Sequence, residues 1–91
     1  MKKAVRVYIF GTVQGIFFRK FIKSEADKLN IKGYVRNKED GSLEAWFEGN
    51  SGNVDKIVEI SKQGPKHSVI KRLDIVDESV HGFKEFKVLR I

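Results

Sequence analysis

Two glycines four residues apart open a run that ends in arginine: Gly11-Thr12-Val13-Gln14-Gly15-Ile16-Phe17-Phe18-Arg19. The run lies between a strand-like and a helix-like segment. Glycine lets the backbone turn tightly, and Gly15 is free to take positive φ. A loop that enters a helix leaves backbone N–H groups without intrahelical partners, and these groups, with the helix dipole, favour an anion. Arg19 at the rim adds a forked, permanently charged donor that suits phosphate. Types and spacing together read as a phosphate cradle built mostly from main chain. Asn37 is the second residue with chemical promise. It ends a strand-like run just before a turn, and a neutral carboxamide holds water without adding negative charge beside a phosphoryl group. It would orient that water for in-line attack, a role glutamine plays in some nucleotide hydrolases. Such a site needs no protein nucleophile, and no strong base where the leaving group is a carboxylate.

The elements that must position these residues follow from periodicity. Val5, Val7 and Ile9 alternate along a half-buried strand, 5–10. After the cradle, Phe18, Phe21, Ile22, Ala26 and Leu29 fall at helical spacing, and Asn30 and Gly33 stop the helix. A second strand, 33–37, leads through Asp40-Gly41, a hairpin signal, into a third, 43–48. Asn50, Ser51 or Asn53 caps a second helix whose face carries Val54, Ile57, Val58 and Ser61, and Gly64-Pro65 ends it. Residues 69–76 and 83–89 read as two further strands, joined by a polar loop, 77–82.

The order predicts an α+β fold of the ferredoxin-like split βαβ kind: βαββαβ plus a short C-terminal strand, an antiparallel sheet with both helices on one face. In that plan the first two strands run parallel and are expected side by side, so that Arg19 and Asn37 meet at one sheet edge.

Composition bounds the function. At 91 residues, the chain is expected to form one domain, 1–91, and a hydrophobic fraction of 41% suffices for one core. Without cysteine there is no disulfide framework, and a cysteine-dependent phosphatase loop is excluded. No apolar run is long enough to span a membrane and no signal peptide is evident, so a cytoplasmic protein is expected. A net charge of +6 favours anionic partners, yet the lysines are scattered rather than clustered as in a nucleic-acid footprint. Phe17, Phe18 and Phe21 are expected in the core. Trp46, flanked by Glu44 and Glu48, is expected half-covered on the opposite sheet face. His67, His81 and the acidic Asp74, Asp77 and Glu78 are expected to be solvated rather than metal ligands.

Two motifs carry a family resemblance. Residues 11–19 resemble the acylphosphatase signature G-x-V-Q-G-V-x-F-R. Residues 33–44, Gly33-Tyr34-Val35-Arg36-Asn37-Lys38-Glu39-Asp40-Gly41-Ser42-Leu43-Glu44, resemble the second signature of that family, G-[FYW]-V-x-N-x-x-D-G-x-V-E. Gly64-Pro65 also sits where the family has a Gly-Pro. The resemblance implies the ferredoxin-like sandwich and metal-independent hydrolysis of acyl phosphates to carboxylate and inorganic phosphate. It implies that Arg19 anchors the phosphate, that Gln14, Gly15, Ile16, Phe17 and Phe18 complete the cradle with their amides, and that Asn37 positions the water. It implies no cofactor, no metal and a small-molecule acyl phosphate partner, for a monomer with no nucleic-acid or membrane partner. Thr12, where the family usually has Arg or Lys, and Ile16 for Val are the departures. The competing expectation is a non-catalytic phosphate- or RNA-binding module on the same plan.

Overall fold

A computed structural model of the chain describes residues 1–13 and 16–89. Its elements are β1 (Lys2–Gly11), α1 (Ile16–Lys28), β2 (Lys32–Asn37), β3 (Leu43–Asn50), α2 (Ser51–Gln63), β4 (Ile70–Glu78) and β5 (Phe86–Val88). The strands form one sheet in the order β4-β1-β3-β2-β5. β1 pairs antiparallel with β3 and β4, and β2 pairs antiparallel with β3. β2 and β5 are parallel, so the sheet is mixed rather than wholly antiparallel.

β1 and β2 run in the same direction, as expected, but are not side by side. β3 lies between them, and its first residue, Leu43, is opposite Ile9 on one side and Asn37 on the other. The hairpin returning from β2 claims the inner position because a short connection favours antiparallel pairing of neighbours. The carboxy ends of β1 and β2 therefore face the same sheet end about two strand spacings apart, ~10 Å.

Both helices bury an apolar stripe. α1 buries Phe18, Ile22 and Ala26 against β2 and β5, and α2 buries Val54, Ile57, Val58 and Ser61 against β1 and β3. Each stripe repeats near one helical turn, so it stays on one face. α1 ends where Asn30 takes φ 55° and the Ile31 N–H reaches back to the Ala26 carbonyl at 2.8 Å. That left-handed cap uses the residue that tolerates it best after glycine. Asn50 caps α2 by accepting from the Gly52 N–H, and Gly64 closes it at φ 68°.

The opposite sheet face departs from expectation. Trp46, Glu44 and Glu48 are 7%, 5% and 3% exposed, so none is half-covered surface. Phe83, expected in the last strand, instead turns over this face and packs edge-on to Trp46 and Tyr34. His81, though exposed, stacks on Phe83. Glu48 anchors this loop: its carboxylate accepts from the backbone N–H groups of His81, Gly82 and Phe83 and from Trp46 Nε1. Glu44 accepts from Tyr34 and from Arg36.

Candidate active site

The cradle begins at a distortion in β1. The register with β4 shifts between Phe10 and Gly11, and the Thr12 N–H then donates to the Val69 carbonyl at 2.8 Å. Gly11 sits at φ 139°, and a Cβ there would collide with the Val69 carbonyl. Glycine is therefore required at the exit from the strand by space as well as by torsion. Val13, fully buried, next anchors the loop in the core. Gln14 and Gly15 lie outside the described residues, so the central part of the expected cradle does too.

α1 opens with Ile16, 37% exposed, and Phe17, 84% exposed. Phe17 is thus not a core residue. Only Phe18 of the trio is fully buried, while Phe21 packs against the core from its margin. Helix geometry separates them: consecutive residues point about 100° apart, so Phe17 and Phe18 cannot share one face.

Arg19 lies in the first turn of α1. Its Nη1 donates to the Leu89 carbonyl at 3.4 Å. Leu89 in turn donates its N–H to the Val35 carbonyl, two residues before Asn37. The guanidinium is therefore braced at the sheet end where β2 finishes. A guanidinium carries five N–H donors, so one carbonyl is compatible with a bidentate grip on phosphate. No acidic residue occupies the first turn of α1. Arg19 and Lys20 thus stand at the positive end of a helix dipole, an arrangement that an anion would relieve.

Asn37 ends β2, and its Nδ2 donates to the Val13 carbonyl at 3.3 Å. This contact joins the strand carrying the carboxamide to the cradle loop. Because the partner is a carbonyl, the amide nitrogen is the donor and Oδ1 is left as an acceptor. One such bond contributes only about 0.5–1.5 kcal/mol net. It orients the carboxamide, whereas the apolar core holds the two segments together. The loop after Asn37 is tight: Lys38 and Ser42 are joined N–H to carbonyl, Gly41 takes φ 88°, and Asp40 accepts from both N–H and hydroxyl of Ser42.

The structure thus brings Arg19 and Asn37 to one end of the sheet. Sequence reasoning had no means of finding the Val13 and Leu89 carbonyls, since any residue supplies a carbonyl. Among the described residues no group of three or more His, Cys, Asp and Glu is placed to hold a metal ion. Glu78 instead pairs with Arg6, and Asp74 with Arg72.

The sequence profile of acylphosphatases matches residues 5–88. The chain belongs to the acylphosphatase family. An acylphosphatase of Syntrophus aciditrophicus (strain SB) is 40% identical over 90 residues, covering 98% of this chain and 94% of that protein. The crystal structure of acylphosphatase from Bacillus subtilis superposes with a TM-score of 0.91 at 32% identity, covering 98% of this chain and 99% of the other. An acylphosphatase structure from Coxiella burnetii gives the same score at 25% identity, with 97% and 93% covered. The fold is accordingly the ferredoxin-like α+β sandwich of the family. The activity is that of an acylphosphatase, an enzyme that hydrolyses small-molecule acyl phosphates. These relatives lend no support to the non-catalytic phosphate- or RNA-binding reading. No helix among the described residues is long and apolar enough to cross a membrane.

Proposed function

We propose that this acylphosphatase works without a metal, with its own main chain and two side chains performing the chemistry. Arg19 and the amides of Gln14, Gly15, Ile16, Phe17 and Phe18 hold the phosphoryl group of the substrate. Donors fixed at the start of α1 offset the charge that builds on the equatorial oxygens during transfer. Asn37 orients the attacking water through Oδ1. The new P–O bond forms to that water, and the bond from phosphorus to the acyl oxygen breaks in line. The electron pair leaves on the carboxylate, and the water's proton passes to phosphate or solvent. A carboxylate is a weak base, with a pKa near 4 for simple carboxyls, so no general acid is required.

The observation that carries this reading is the contact from Asn37 Nδ2 to the Val13 carbonyl. It sets a neutral water-holding group against the phosphate loop without bringing a negative charge with it. The same reading makes the enzyme a cytoplasmic monomer of one domain with no nucleic-acid partner. A site assembled from β2, α1 and the first loop of one chain supports the monomer. The burial of Trp46 beneath Phe83 supports the absence of RNA binding, because it withdraws the one tryptophan of the outer face from stacking on a base. The test is hydrolysis of acetyl phosphate in excess EDTA. Undiminished turnover is expected. Turnover that vanishes in EDTA and returns with a divalent cation would overturn the proposal.

A further inference from the structure

A groove of about 720 Å³ runs between α1 and β5, starting at the cradle. Its near end is walled by Ile16 of the cradle and by Val88, and Val88 pairs with Val35 two residues before Asn37. Its walls continue along Lys20, Lys23, Phe86 and Lys87. Asp27 and Glu85 close the far end. The groove therefore carries apolar and cationic groups close to the phosphate site and carboxylates away from it.

The cations are not equivalent. Lys23 is committed to Asp27 at 2.9 Å and to the Phe86 carbonyl at 3.0 Å. Lys87 stands 3.8 Å from Glu85. Lys20 has no carboxylate partner among the described residues, and it follows Ile16 by one helical turn, about 6 Å along the axis. It also adds to the excess of positive charge at the start of α1, where no acidic residue offsets it.

We propose that this groove receives the acyl group of the substrate and that Lys20 selects acyl groups bearing a second anionic group about one helical turn from the acyl carbon. This rests on the reading of the phosphate site given above. The chain of the acyl group packs on Ile16 and Val88, and its remote carboxylate meets the Lys20 ammonium. At the far end Asp27 holds Lys23 and Glu85 stands against Lys87, so those two lysines are charge-compensated and draw the anion less than Lys20 does. The substrate class is thus a dianionic-headed acyl phosphate with an additional carboxylate or phosphate on its acyl part. Lys20 acts on selection of the substrate and not on the chemical step.

The test uses two rigid substrates of equal shape: 4-carboxybenzoyl phosphate and 4-methylbenzoyl phosphate. The readout is the ratio of their KM values in the native enzyme, in Lys20→Gln and in Lys20→Arg. The native enzyme is expected to favour the carboxylated substrate. Lys20→Gln is expected to raise its KM relative to the methyl substrate about fivefold, the upper range for an exposed ion pair. Lys20→Arg is expected to retain the preference, and 0.5 M NaCl to erase it in the native enzyme. A ratio unmoved by Lys20→Gln would overturn the proposal while leaving the phosphate site intact. Absence of turnover with the methyl substrate in the native enzyme would instead strike the reading of the phosphate site, and this proposal with it.

Discussion

Glu48→Gln is expected to destabilise the protein by about 3 kcal/mol, because a carboxamide cannot replace a carboxylate that accepts four hydrogen bonds. One carboxylate oxygen takes Trp46 Nε1 at 3.0 Å and the His81 N–H at 2.8 Å. The other takes the N–H groups of Gly82 at 2.8 Å and Phe83 at 3.1 Å. Glutamine keeps one acceptor oxygen and turns an NH₂ toward the other pair of donors. Two N–H groups then lose their acceptor, at roughly 1–3 kcal/mol each. His81 and Gly82 are exposed, and water softens the loss there. For a domain of this size a loss of about 3 kcal/mol corresponds to a fall in Tm of roughly 12–24 °C.

Acid should erase the difference. Burial alone would raise the Glu48 pKa, but the four donors outweigh it and hold the carboxyl below its ordinary value. A carboxyl depressed on folding contributes stability above its unfolded pKa, near 4.3. That contribution is lost as pH falls through the lower, folded value. Urea unfolding followed by circular dichroism at pH 7 and again below pH 4 measures both effects. The variant should be clearly less stable at pH 7, and the gap should narrow in acid. A gap under about 1 kcal/mol at pH 7 would refute the reasoning, as would a gap independent of pH; the first bound is set by one ordinary hydrogen bond.

Arg19→Ala and Asn37→Ala are each expected to lower kcat/KM for acetyl phosphate ~10²–10³-fold with little change in Tm, and a folded variant of either retaining near-native turnover would remove that residue from the mechanism. The Tyr34 phenol is pushed up to about 12, first by burial and then by its bond to the Glu44 carboxylate. Its contribution to stability is therefore present below pH 10 and lost as pH rises through about 12. Ultraviolet titration of a Tyr8→Phe variant should show no phenolate wave near pH 10, and a wave centred there would show that Tyr34 is not held in this way.

The sequence made the frame of the site legible and left its far side dark. Alternation in β1 and β3 and the helical stripe of α1 depend on local periodicity, and each formed with ends within a few residues of the expected ones. The shared sheet end of Arg19 and Asn37 followed from the order of elements. The place of β3 between β1 and β2 does not follow from element order, because a parallel pair joined by a crossover and an antiparallel hairpin compete for the same sheet position. Trp46, Glu44 and Glu48 read as an outward face because their types alternate with Leu43, Ala45 and Phe47. That parity was right. Their burial depends on Tyr34, Arg6 and a loop more than thirty residues away, and no local pattern records such partners. Phe17 shows the reverse error, in which an aromatic cluster read as core ignored the 100° between consecutive helical positions.

The outer face and the sheet end that carries Arg19 and Asn37 are mechanically one structure. Among the described residues β5 places three in the sheet, paired to β2. Three ladder positions contribute a few kcal/mol at most, at about 1 kcal/mol per hydrogen bond. They are weak specifiers of where the strand lies. At its leading side β5 is held by the loop that Glu48 grips, with the Gly33 N–H bonded to the Glu85 carbonyl. At its trailing side the Leu89 N–H is bonded to Val35, and the Leu89 carbonyl receives Arg19. On α1, Lys23 meets the Phe86 carbonyl one turn after Arg19 meets Leu89. β5 is thus clamped between a buried carboxylate on one sheet face and two helix cations on the other. A displacement of β5 would carry the Leu89 carbonyl away from Arg19 and alter the wall of the groove at Val88 together. The buried polar network on the outer sheet face therefore gives Arg19 its fixed support, which the apolar core alone, being non-directional, does not supply.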